Sequence, residues 1–204
     1  MTLEGGNKRD TLGSQHSLDR LNPTSKSQIF MSQSSSRSKF EAAVTAYQTF
    51  TETFQSIMLS TVSAEGEPNA SYAPFVMDEA RNIYIYVSGL SAHTQNLHAV
   101  PRASILFIQD EQDTQQIFAR RRLSYDCTAE LLPADSPKWT QIVDRFEARF
   151  GSMIQLLRSL PDFRLFQLKP IRGRFVMGFG AAYAVDEQDL SQLLHIKTEA
   201  QREE

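Results

Sequence analysis

Hydrophobic positions are scattered and aperiodic over the first 38 residues, then recur with helical spacing from Lys39. Phe40, Val44, Tyr47 and Phe54 fall near one face, with Ala42, Ala43 and Ala46 between them, which predicts an amphipathic helix leading into a domain. The period then shortens to two. Residues 56–62 and 69–76 read as strands joined by the turn Ala64-Glu65-Gly66-Glu67-Pro68, a hairpin, and a second turn over 78–82 leads to a third strand at 83–87. A short helix is expected after Gly89, ending before Pro101 because proline disfavours helical geometry at the residue preceding it. A fourth strand over 103–108 and a fifth over 122–132 are separated by a polar loop at 110–116. In the fifth strand Leu123, Tyr125, Cys127, Ala129 and Leu131 share one face.

Asp135-Ser136-Pro137 signals a helix start, with Ser136 as N-cap and Pro137 in the first turn. Trp139, Ile142, Val143, Phe146, Phe150, Met153, Leu157 and Leu160 follow at spacings of three and four, with Gly151 placed to bend or split the helix. Leu160-Pro161-Asp162 ends it. Two further strands are expected, at 163–168 and 174–185. The second contains Gly178 and Gly180, whose missing side chains imply either room for a flat ligand or a barrel corner. Residues 189–195 read as a final short helix. This order predicts a mainly β fold with flanking helices, closed as an antiparallel barrel of six to seven strands. The expected division is a Ser/Gln-rich disordered tail at 1–38, too polar to offset its ordering entropy, a barrel domain at 39–196 and a charged tail at 197–204.

At 204 residues the chain suffices for one good-sized domain, and its net charge of −3 argues against general nucleic-acid binding, which needs a basic face. The single cysteine excludes an internal disulfide and a cysteine-cluster metal site. With no signal-peptide pattern and no apolar run near the roughly 20 residues of a membrane span, a cytoplasmic protein is expected.

Two stretches carry candidate chemistry. Ser88-Gly89-Leu90-Ser91-Ala92-His93-Thr94-Gln95-Asn96-Leu97 follows a strand and enters a helix, where unpaired N–H groups and the helix dipole favour an anion; Ser91 is either part of that site or an ordinary N-cap. Phe118-Ala119-Arg120-Arg121-Arg122-Leu123 brings three guanidinium groups, which offer planar forks to phosphate or carboxylate or else form a solvated edge. Together they suggest a pocket for an acidic cofactor. Cys127 has no activating partner nearby in sequence and reads as a small buried residue.

These blocks, with Asn69-Ala70-Ser71-Tyr72-Ala73-Pro74-Phe75 and Phe175-Val176-Met177-Gly178-Phe179-Gly180, resemble the haem-utilisation (HutZ/HugZ-like) branch of the pyridoxamine 5'-phosphate oxidase-like, FMN-binding split-barrel superfamily. The resemblance runs from about residue 50 to 195. It implies a homodimer of split β-barrels with cofactor sites at the subunit interface, and oxidative haem degradation with dioxygen and an unidentified electron donor. Ser91, His93, Thr94, Asn96, Arg120 and Arg122 are then the expected cofactor-binding residues. Arg122 is expected to neutralise a propionate or assist at the iron, and Asp162 to orient the iron-binding histidine across the interface, both as catalytic residues. In such relatives that histidine lies in the C-terminal tail in a Gly-His pair; here the position is Ala200, preceded by Glu199, so His195 is the expected haem-iron ligand, the alternatives being His93, His98 or no axial histidine and weak haem binding. The superfamily's own ligand, FMN, is the competing cofactor, held by its phosphate at Ser91, Thr94 and the arginines. A non-catalytic haem carrier is the third possibility.

Overall fold

The computed structural model describes residues 23–196, with side chains from residue 36 onward, and divides them into two units between Ala43 and Val44. The helix expected from Lys39 begins earlier: α1 is Pro23–Phe50, so residues 23–38, expected as part of the tail, are helical. Proline suits a first turn, where its missing N–H would have no partner, and no proline or glycine follows before Phe50. Once the alanine-rich stretch is helical, each added residue costs little. In the first unit Arg37 pairs with Glu41 one turn on, at 3.1 Å on an exposed face. The rest of the expected N-terminal tail, and the expected C-terminal tail from 197, lie outside the described residues.

The second unit is a barrel. Strands β1 (Ser56–Val62), β2 (Pro68–Met77), β3 (Ile83–Ser88), β4 (Arg102–Ile108), β5 (Arg122–Leu132) and β6 (Phe163–Gly178) pair antiparallel in the order β3-β2-β1-β4-β5-β6, and β6 closes on β3 through pairs from Ile83–Leu168 to Ser88–Phe163. Two strands extend the sheet beyond β6: β7 (Ala181–Val185) and β8 (Leu193–His195). Alternation does what period two requires. Ile57 and Leu59, Ile105 and Phe107, and Leu123, Tyr125 and Cys127 point inward and are buried. The end of α1 fills one mouth of the barrel, where Tyr47 and Phe50 meet Phe175 and Phe54 meets Phe107. α2 (Ala92–Ala99) covers β1 and β2 near their hairpin.

β3 is buried along Ile83–Val87 because it is covered on both faces, by the barrel interior and by α3 (Pro137–Phe150). Ser136 caps α3 as expected, accepting from the Trp139 N–H at 3.2 Å. Trp139, Ile142, Val143 and Phe146 pack with Tyr84, Tyr86 and Leu165. Gly151, at φ 76, splits the predicted helix, and α4 (Met153–Arg158) follows on a new axis. The single stripe therefore breaks: Ile154 is buried and Met153 is exposed. At the end of β5, Leu132 rather than Leu131 turns inward, joining the cluster under α3. No helix among the described residues is long and apolar enough to cross a membrane.

Three other expectations are corrected. The strands expected at 163–168 and 174–185 are one long β6 followed by β7. Gly178 and Gly180 flank the turn between them: Gly180 has φ 64, which favours glycine, and a Cβ at either would touch nothing within 4 Å, so the turn accounts for Gly180 without a barrel corner. The helix expected at 189–195 is a loop and β8, because the Asp189 carboxylate accepts from the Ser191 N–H (2.9 Å) and hydroxyl (2.6 Å) and closes a turn instead of capping a helix.

Candidate functional site

The first candidate region lies where β3 runs into α2. Ser88 ends β3 and its hydroxyl donates to Asp162 Oδ2 at 2.6 Å, while accepting from the Leu90 N–H at 3.1 Å. The Gly89 N–H donates to the Asp162 carbonyl at 2.8 Å, and a Cβ on Gly89 would sit 2.8 Å from that oxygen, so this junction needs glycine for closeness rather than for φ. Thr94 donates to the Ser88 carbonyl at 2.7 Å, and Asn96 donates to the Thr61 hydroxyl at 3.0 Å; both side chains are buried. Thr94 and Asn96, expected to bind cofactor, thus direct these groups into the protein. Ser91 occupies the N-cap position of α2 with no side-chain cap bond.

His93, one turn before Asn96, holds the Ser71 hydroxyl at 3.1 Å through Nδ1, and its Nε2 is buried without a partner. Burial pushes its pKa below the ordinary imidazole value. Asn69, two residues before Ser71 on β2, likewise buries an Oδ1 that nothing satisfies.

The second region is the arginine block at the start of β5. Arg120 binds the preceding loop: Nε and Nη2 reach the Gln109 carbonyl at 3.0 and 2.6 Å, and Nη1 the Glu111 carboxylate at 2.9 Å. Arg122 Nη1 donates to the Arg120 carbonyl at 3.1 Å. Arg121 differs. It lines a cleft of about 520 Å³ walled by Phe50, Phe54, Met58, Leu106 and Ile108, with Asp110 and Asp113 at its edge, and its Nε is buried with no acceptor. Arg121 stands within the Phe118–Leu123 block, of which only Arg120 and Arg122 were expected to bind cofactor, and because it precedes β5 the alternation of that strand did not single it out.

The two regions do not meet within one chain. Arg122 pairs with Ile108, at the end of β4 remote from α2, and with Val176. Asp162 precedes Phe163 at the other end of β6, up to about 40 Å away along an extended strand. The three arginines therefore do not close over the α2 terminus of the same chain. His195 lies on β8, its ring 5.7 Å from that of Tyr183 in an edge contact, and lines neither region. Cys127 is buried inside the barrel; burial, with a smaller contribution from Asp126, pushes its thiol up to about 12, consistent with a packing residue. Ala200 lies outside the described residues.

Comparison with known proteins places this geometry. Residues 43–177 match the family model described as pyridoxamine 5'-phosphate oxidase. The chain is 40% identical over 148 residues to the heme oxygenase HutZ of Vibrio cholerae, covering 72% of this chain and 84% of HutZ. The crystal structure of Vibrio cholerae HutZ, described as a heme storage protein, aligns with a TM-score of 0.60 at 41% identity over 64% of this chain and 92% of its own. That of Campylobacter jejuni ChuZ aligns with a TM-score of 0.69 at 31% identity over 86% of this chain and 72% of its own.

Proposed function

The chain belongs to the pyridoxamine 5'-phosphate oxidase family, and within it we propose that the protein binds haem in the cytoplasm and opens its porphyrin ring oxidatively, using dioxygen and a reductant, for iron utilisation. The similarity to a heme oxygenase supports the activity, and the cleft beside Arg121 carries the reading of the site. Its lining mixes Phe50, Phe54, Ile57, Met58, Leu106 and Ile108, which suit the face of a flat macrocycle, with polar residues that include Asp110 and Asp113, and the unpaired guanidinium N–H of Arg121 asks for an acceptor. A buried donor without a partner costs stability, and a propionate carboxylate offsets that cost with a charge-assisted bond.

When bound, haem supplies the iron at which dioxygen is activated. The chain's own residues bind and orient. Arg121 would hold the acidic edge, while Phe50, Phe54, Met58 and Ile108 would exclude water from the ring. Asp162, its Oδ2 fixed by Ser88, keeps a carboxylate available to an imidazole. FMN fits less well, because a half-buried His93 at the centre of the α2 block, its pKa lowered by burial, offers a phosphate no positive charge near neutrality.

A homodimer is part of the proposal. Asp162 and Arg122 serve one site only if two copies contribute, and the barrel's outer face supports such contact: Tyr72, Met58 and Leu106 stand in register across β2, β1 and β4, with Tyr72 67% and Met58 57% exposed. One observation favours a haem carrier as second reading: His195, on a short outer strand, lies outside the cleft, and storage tolerates weaker iron ligation than turnover does.

The test is an absorption titration with haemin beside one with FMN, followed by ascorbate in air. A saturable haem band that bleaches as a ring-opened product appears supports the oxygenase. Saturation without bleaching under several reductants selects the carrier, and tight FMN uptake without a specific haem band overturns both.

A further inference from the structure

The most completely enclosed polar contact in the barrel lies away from both candidate regions. Tyr47, in the last turns of α1, reaches the barrel interior with its ring buried against Phe175. Its hydroxyl lies 2.6 Å from the Tyr125 hydroxyl and 2.6 Å from the Leu190 carbonyl. The carbonyl only accepts, so the Tyr47 proton points to Leu190, and Tyr125 must donate to Tyr47. The order Tyr125 to Tyr47 to Leu190 is fixed by donor counting. Burial, reinforced by the neighbouring phenol, raises the pKa of Tyr47, so the donating proton stays in place near neutrality.

Leu190 sits in the loop between β7 and β8. That loop is otherwise self-contained: the Asp186 N–H donates to the Gln192 carbonyl (3.0 Å), the Gln192 N–H to the Asp189 carbonyl (2.9 Å), and the Asp186 and Asp189 carboxylates accept from residues two positions on. Beyond it, β8 holds the sheet by three residue pairs. Glu187 and Ile196, from this same arm, form one side of a groove of about 600 Å³ whose other side carries Arg172 and Arg174. β8 is also seated by buried Leu193 and by the His195 ring on Tyr183, whereas the 186–192 loop is satisfied mainly by its own turns, and the Tyr47 bond ties that loop to the barrel interior.

We infer that the Tyr47 phenol is a latch: by donating to the Leu190 carbonyl it holds the 186–196 arm against the barrel, so that the position of β8 and the width of the Arg172/Arg174 groove are set from the end of α1. Tyr125 orients the latch and does not itself hold the arm. The inference does not depend on which cofactor the protein takes.

Hydrogen exchange on the full chain tests it, with two variants. Tyr47→Phe keeps the ring packed and removes the donor; amide exchange over 187–196 is expected to accelerate about tenfold beyond any change in β1–β6, where the Tyr125 hydroxyl on β5 loses its acceptor. Tyr125→Phe removes the donor to Tyr47 and leaves the Leu190 bond, so the arm is expected to stay slow. Unchanged exchange in the arm of Tyr47→Phe, or equal acceleration in Tyr125→Phe, overturns the latch. If Tyr47→Phe fails to fold, the wild-type protein still decides: a slowly exchanging Tyr47 hydroxyl proton with a cross-peak to Leu190 or Ser191 is expected in the NMR spectrum, and its absence overturns the assignment.

Discussion

Where β3 meets α2, Ser88, Thr94, Asn96 and Asp162 direct their polar groups to other parts of the chain, through bonds of 2.6 to 3.0 Å. At the start of β5, in the same unit, Arg121 buries an Nε beside an open cleft and nothing among the described residues accepts from it. Both regions belong to sequence blocks that read as anion sites, and the difference separates two kinds of polar conservatism in a barrel. At the α2 end closed bonds predominate and contribute to stability, with His93 Nε2 and Asn69 Oδ1 the buried atoms left unmet there, whereas at β5 the unmet donor stands on a concave wall, where it is stability withheld until a ligand arrives. Arg120 shows that adjacency in sequence does not decide the matter, since its guanidinium is fully engaged with Gln109 and Glu111.

Substitutions at the two regions should separate in what they change. The largest effect is expected from Gly89→Ala, whose Cβ would meet the Asp162 carbonyl oxygen at 2.8 Å. Losing that close approach and the Gly89 N–H bond should cost about 2–3 kcal/mol in chemical denaturation, with haemin affinity of the folded fraction intact. A stable Gly89→Ala protein with weakened haemin binding would instead place ligand at the α2 end.

Arg121→Ala should show the opposite pattern. Unfolding free energy is expected to stay within about 0.5 kcal/mol, because no protein bond is lost, while haemin affinity falls about tenfold, near 1.4 kcal/mol. Equal haemin affinity would remove the cleft from the proposed site. Arg120→Ala sharpens the contrast from the neighbouring position: it releases the 109–113 loop and should cost about 1 kcal/mol of stability, read as a lowered melting temperature, with any effect on haemin secondary to that.

The smallest effect concerns pH. Burial lowers the pKa of His93, so below the ordinary value of about 6.5 the unfolded chain binds a proton that the folded chain does not. Stability should therefore be fully present above that value and decline as pH falls toward the folded pKa. His93→Gln should flatten this acid limb in a melting series from pH 7 to 5. An unchanged slope would assign the acid sensitivity elsewhere.

Much of this was written in local pattern. Period-two alternation placed β1 and β5 at their observed bounds, and Ser136-Pro137 placed the start of α3 because capping depends only on neighbours. The resemblance of four blocks pointed to the family that the comparisons then gave. Local pattern failed where a second element took a side. Leu131 and Leu132 are equally apolar, and only the cluster under α3 chose between them. His195 lay in a stretch whose spacing allowed a helix, until the free edge of β7 offered a ladder to β8.

The sequence by itself determined β1 to β5, the cap of α3, the barrel class and the two blocks able to meet an anion, because hydrophobic period and turn chemistry act over a few residues. Which of those blocks sets an unmet donor on the wall of a cleft was decided only by tertiary structure. Closure of β6 on β3 sends Asp162 and Arg122 to opposite ends of the barrel, and the loop folded over Arg120 leaves Arg121, one residue on, facing the cleft without an acceptor.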